Sequence, residues 1–162
     1  MSEQTILHEL ALQEAVRRQI DAIVRAANAA ACLLEGSNME KSQIRNVLSV
    51  AEERCGVAVV TNFVRYQIGR SRTGQEWQHQ GFGLRVVDDL EREDWVVDRA
   101  TREAVACARD LIAQRKGEAD EAELERKARE QLVRYYLGYL HRAFYFGHET
   151  NDWRELQKAA EA

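Results

Sequence analysis

The residues able to do chemistry in this chain are mostly arginines. Between Lys41 and Arg85 there are seven lysines or arginines against three acids, six of the seven being arginine: Arg45, Arg54, Arg65, Arg70, Arg72 and Arg85. Arginine pairs phosphate oxygens bidentately and stacks on planar rings, so a local arginine surplus points to phosphate recognition. Helical spacing puts Lys41 and Arg45, with Glu52, on one side of a helix. It puts Thr61, Arg65 and Arg72 on one side of the next, with Arg70 displaced around the axis. The expected RNA- or phosphate-contacting set is therefore Lys41, Arg45, Arg65, Arg70 and Arg72. A solvated polar face is the ordinary alternative for such a charge run.

Residues for catalysis are sparse. Gly74, Gly81 and Gly83 lack the spacing and the following Lys-Ser/Thr of a phosphate loop, and no His-Glu-x-x-His or Glu-x-x-His pattern occurs. His141 and His148 are seven apart and share a helix face, with Glu149 the neighbouring acid. No serine sits in a nucleophile elbow. Asp88-Asp89 and Glu93-Asp94 fall in an acidic stretch, Val86 to Glu130, with fourteen acids against nine bases. Read as exposed, they keep ordinary carboxylate behaviour and act as a solvated or repulsive face. The expectation is a non-enzyme with no metal and no cofactor.

The elements that must carry these residues are helices. The chain of 162 residues has no proline, where about eight are usual. Proline is common in turns and excluded from helix interiors, so its absence fits an all-α chain with short connections. Apolar residues recurring at threes and fours predict helices over about 2–35, 42–54, 57–69, 84–116 (with a break near Glu93), 118–146 and 151–160. Ser42 is the expected N-cap of the second, and Gly36, Gly56 and Gly147 the expected stops. The β-branched start of the third, Val57 to Thr61, also suits a buried strand. Gly138 lies inside the fifth, where close helix packing would explain it. Residues 71–83 form an irregular loop.

The fold expected is thus one all-α domain over 1–162, a bundle of five to six helices. Cys32, Cys55 and Cys107 lack metal-type spacing and read as small apolar residues in a reducing compartment. With no membrane-length apolar run and a polar start, Met1-Ser2-Glu3-Gln4, a cytoplasmic location is expected. In the aromatic group Tyr135-Tyr136-x-x-Tyr139 and Phe144-Tyr145-Phe146, burial is the default, with contact to a neighbouring subunit as the alternative.

Three segments also suggest a family. Lys41-Ser42-Gln43-Ile44-Arg45-Asn46-Val47-Leu48 resembles the Ser-Gln-Ile-Arg helix start of the small helical subunit of type III-A CRISPR–Cas interference complexes. Arg65-Tyr66-Gln67-Ile68-Gly69-Arg70 is similar to that family's aromatic-x-x-Gly-Arg helix end. Tyr135 to Gly147 resembles its closing aromatic helix. The first helix and residues 86–130 carry no corresponding motif, as a divergent relative or a member of a neighbouring type III subtype would show.

The resemblance implies several copies stacked head to tail as a filament beside guide (CRISPR) RNA and target RNA. It implies other effector subunits as partners, no nuclease site, and Arg45 and Arg70 as motif residues. Lys41, Arg65 and Arg72 rest on charge instead. In such a filament the acidic stretch would face the basic one of the next copy. Two further readings compete: a dimeric helical DNA-binding transcription regulator using the helices joined at Gly56, and a metal-dependent helical-bundle enzyme.

Overall fold

Small residues decide how closely the helices pack. Ala27, Ala30 and Ala31 are fully buried on the second helix, and Ala100, Ala104 and Ala108 line the buried side of the sixth. Alanine lets backbones approach, and larger Leu, Ile and aromatic side chains from facing helices fill the remaining space. The computed structural model describes residues 1–54 and 56–162; Cys55 lies outside the described residues. It contains α1 (Glu3–Arg17), α2 (Ile20–Cys32), α3 (Lys41–Glu52), α4 (Val57–Arg70), a 3-10 turn (Glu76–Gly81), α5 (Phe82–Glu91), α6 (Val96–Gln114), α7 (Glu121–Thr150) and α8 (Trp153–Glu161). Among the described residues there is no strand, and no helix is long and apolar enough to cross a membrane.

α7 is the axis of the bundle. Its thirty residues run about 45 Å. It packs against α2, α3 and α6, while α1 lies on α6, α8 on α2, and α4 on α5. Its start is capped by Asp120, whose side chain accepts the Glu123 N–H at 3.2 Å. Leu124, Ala128, Leu132, Tyr136, Leu140 and Phe144 form its buried stripe.

The structure has more helices than the five to six expected. The helix expected over 2–35 is broken at Arg18-Gln19 into α1 and α2, without glycine or proline. Glu14 clamps both Arg17 and Arg18 there, at 2.8 and 2.9 Å. The break expected near Glu93 within 84–116 is present, as a turn in which Asp94 is left-handed (φ 60°). The Asp94 N–H donates to Asp98 Oδ2 (3.0 Å).

Several boundaries differ from expectation for local reasons. α3 begins at Lys41, so Ser42 is inside it; the Glu40 N–H at its cap donates to Gln43 Oε1 (2.9 Å). Val57–Arg70 is helical throughout and ends before Arg72. Gly36 does hold the left-handed conformation (φ 75°) after α2. After α3 that conformation falls on Arg54 (φ 58°), with Gly56 extended, and after α7 it falls on Asn151 (φ 56°). Gly147 is inside α7, and the Trp153 ring lies where its side chain would be: a Cβ there would be 2.4 Å from that ring.

Candidate nucleic-acid interface

The five expected contact residues divide by partner. Lys41, at the first turn of α3, is bound to Glu149 near the end of α7, and its ammonium lies 4.3 Å from the Tyr145 ring centre. That carboxylate raises the Lys41 pKa. Arg65 on α4 is paired with Glu91 of α5. Arg72, beyond the end of α4, is paired with Glu76 at 3.0 Å. Arg45 and Arg70 are exposed and have no carboxylate partner among the described residues; Arg70 lies over the Tyr66 ring, 5.5 Å from its centre. So Lys41 and Arg45 stand beside the C-terminal half of α7, and the other three are engaged around α4. Thr61, expected on the polar face with Arg65, is fully buried, its hydroxyl donating to the Val57 carbonyl (3.2 Å).

Beside Arg45 the structure opens a cleft of about 500 Å³ between α3 and α7. Leu48 and Glu52 of α3 form one wall; Gln131, Arg134, Tyr135, Gly138, His141 and Arg142 of α7 form the other. Among the described residues, Arg134 and Arg142 also have no carboxylate at ion-pair distance. An adjoining depression of about 570 Å³ shares Gln131, Arg134 and Tyr135, and brings in Arg54. Unpaired surface arginines are ordinary singly. Their convergence on one aromatic-walled cleft distinguishes these.

The floor of the cleft is Gly138. A methyl group placed there would meet nothing within 4 Å, so the close helix packing expected at this glycine is absent. Tyr135 is 44% exposed and lies nearly parallel to Tyr139, ring centres 6.1 Å apart and planes 15° apart. The Arg142 guanidinium continues this ladder, 5.7 Å from the Tyr139 ring centre. His141 is part of the same wall. Its Nε2 is closed off from the surface and has no hydrogen-bond partner. Burial lowers its pKa, and the positive charges of Arg45, Arg142 and Lys41 lower it further. The imidazole is thus held neutral beside three cations.

Sequence reasoning missed Arg134, Tyr135, Gly138, Tyr139 and Arg142 as a group. The signal was present in part. Arg134, Gly138 and Arg142 are four apart and so share one stripe of a helix. What was missing is which side of α7 that stripe faces.

The acidic segment is not uniformly an exposed face. Asp89 is fully buried. It accepts three hydrogen bonds: from Tyr136 Oη (2.6 Å), Trp95 Nε1 (2.8 Å) and Arg85 Nε (3.0 Å). Burial pushes its pKa up despite these donors, and pushes that of Tyr136 well above the usual phenol range. Glu91 is taken by Arg65 and Asp94 by Arg102 (2.7 Å). Of the cysteines, Cys32 and Cys107 are half-buried; the Arg18 Nη1 lies 3.3 Å from Cys107 Sγ.

No family model, no curated protein and no solved structure matches the chain.

Proposed function

We propose that this chain is a non-catalytic, RNA-contacting subunit of a type III CRISPR RNA-guided effector complex. In this reading it stacks head to tail with further copies, as the small subunits of such complexes do, and lies along guide and target RNA. The observation that carries the reading is the set Arg45, Arg134 and Arg142, without carboxylate partners, around the α3–α7 cleft. The two arginines carried by the motif resemblance, Arg45 and Arg70, are also the two of the five expected contacts that no carboxylate among the described residues neutralises. Where base pairing between two RNAs reads sequence, a protein need only follow backbone and shape. Unpaired arginines without base-specific constellations suit that role. A heterologous, head-to-tail contact needs two different faces, and the unequal charge of the middle and late segments supplies a difference of that kind.

The test is recovery of the tagged chain from its native host, with sequencing of the RNA that accompanies it. Short guide RNAs sharing a repeat-derived end, together with larger protein partners, are the expected result. Protein free of RNA and of partners would overturn the proposal. The double variant Arg45→Ala, Arg70→Ala should weaken RNA association for all sequences alike and flatten its salt dependence, because phosphate contacts carry no sequence information. Loss confined to one duplex DNA sequence would favour the dimeric regulator instead. Melting curves run alongside separate loss of contact from loss of packing by the arginine stems.

A further inference from the structure

We infer that the α3–α7 cleft is a pocket for one unstacked nucleobase of a single RNA strand, seated over Gly138 against Tyr135, with its flanking phosphates on Arg134 and Arg142. The inference rests on the RNA-contacting reading and goes beyond it, since backbone tracking alone needs no base pocket.

Three independent features converge on this cleft. The first is Gly138 itself. Glycine in a helix interior is disfavoured against alanine, and here neither a turn, nor a left-handed backbone, nor a neighbouring side chain requires it. The space above it opens into the cleft. A floor without a side chain lets a flat group lie against the helix backbone.

The second feature is the row of stacked planar groups. Tyr135 and Tyr139 already stand nearly parallel along α7, with the Arg142 guanidinium over the Tyr139 ring. Tyr135, at the end of that row, lines the cleft and is 44% exposed. A base stacking there adds one more plane. Aromatic platforms of this kind hold single strands without strong base preference.

The third is the position of the charges. Arg134 and Arg142 lie one helical turn before and after Gly138, about 12 Å apart along the axis. They bracket the floor, one for the phosphate on each side of the seated base. Glu52 stands on the opposite wall. Its carboxylate repels phosphate from that side and is an acceptor for the amino edge of a base. The cleft, at about 500 Å³, falls within the range of small-molecule sites. A paired base inside a duplex has both faces covered by its neighbours and cannot enter.

Fluorescence anisotropy with labelled oligouridine, oligoadenosine and a duplex RNA of equal length, on the full chain at low salt, tests this. The wild type should bind the single strands more tightly than the duplex. Tyr135→Ala should weaken single-strand binding roughly 5- to 150-fold, the loss of one stacked base, with the salt slope unchanged and Tyr135→Phe close to wild type. Gly138→Leu should cause a similar loss in a protein that melts no lower than wild type. Arg134→Ala and Arg142→Ala should each reduce the salt slope by about one.

Tyr135→Ala and Gly138→Leu binding like wild type, with a normal salt slope, would overturn the pocket and leave the RNA reading standing. Duplex bound as tightly as single strand would overturn it too, as would polyglutamate competing equally per charge. A nucleoside monophosphate bound as tightly as the oligonucleotide would overturn the assignment to a strand. Absence of any RNA binding by the wild type at low salt, with none recovered from the host, would remove the RNA reading itself. Should Gly138→Leu fail to fold, the contrast between Tyr135→Ala and Tyr135→Phe decides.

Discussion

Asp89 and His141 show two opposite uses of burial at single residues. Asp89 is withdrawn from water and given three donors, from α5, from the turn before α6 and from α7, so it fastens that turn to the central helix. Tyr136→Phe removes one hydrogen bond to that group and should cost about 1.5–3 kcal/mol in urea unfolding. Asp89→Ala orphans all three donors and should cost more, about 3–5 kcal/mol. The pH dependence has a definite sign. A folded-state pKa raised above the unfolded value makes a contribution that is present at low pH and lost as pH rises through the raised value. Asp89→Asn lacks that titration, so its deficit relative to wild type should be smaller at neutral pH than at about pH 4. Urea midpoints at the two pH values check this.

His141 works the other way, because its pKa is lowered. Facing it or lining the same cleft are Lys41 (itself paired with Glu149), Arg45 and Glu52 from α3, and Arg134, Arg142 and Tyr145 from α7. An anion bound among the cations relieves their repulsion and lets His141 take up a proton. Burial, the larger cause of the lowered pKa, remains, so RNA affinity should rise only as pH falls below the usual histidine value of about 6.5, and His141→Gln should remove that part of the pH dependence. Anisotropy titrations across that range would show a flat profile in the wild type if His141 is uncoupled.

At the scale of elements, α7 holds two interior glycines with opposite surroundings. Gly147 is covered by the Trp153 ring, and a Cβ there has no room. Gly147→Ala should destabilise by about 1–3 kcal/mol, the usual cost of overpacking, and loosen α8. Gly138 faces open space, so Gly138→Ala should stabilise the free protein by up to about 1 kcal/mol. Paired thermal melts of the two variants, moving in opposite directions, check both. Equal destabilisation would mean that the cleft floor is packed in solution. Local sequence reads Gly138 as a packed interior position and Gly147 as a helix stop; the structure leaves Gly138 open and puts Gly147 inside the helix under Trp153.

At the scale of the whole molecule, the charge division between segments survives folding only in part. Lys41, Arg65 and Arg72 are spent on internal ion pairs, as are Glu91 and Asp94. Asp89 is in the core. Charge reversal across Asp88, Asp89, Glu91 and Asp94 together would therefore mix assembly with unfolding. Reversal at Asp88 and Glu93, whose side chains are well exposed, isolates the surface. If acidic and basic faces of successive copies meet, this pair should weaken self-association in sedimentation at low salt, and unaltered association would exclude that contact.

What the sequence by itself determined is whatever depends on neighbours within a few residues. The absence of proline and the spacing of apolar residues specify helices, and Gly36 marks one of their ends, because helix hydrogen bonds and caps are local. The local arginine surplus was legible in the same way. The tertiary structure decided which charges remain unpaired, since Glu149, Glu91 and Arg102 reach their partners from other turns or other helices. It also broke the first long helix at Arg18-Gln19, where packing on α6 and on α7 asks two halves to face different neighbours and no residue type marks the change. And it joined Arg45 of α3 to Arg134, Tyr135, Gly138 and Arg142 of α7. A cleft between two helices is set by how their faces meet, and that depends on the whole core rather than on either helix alone.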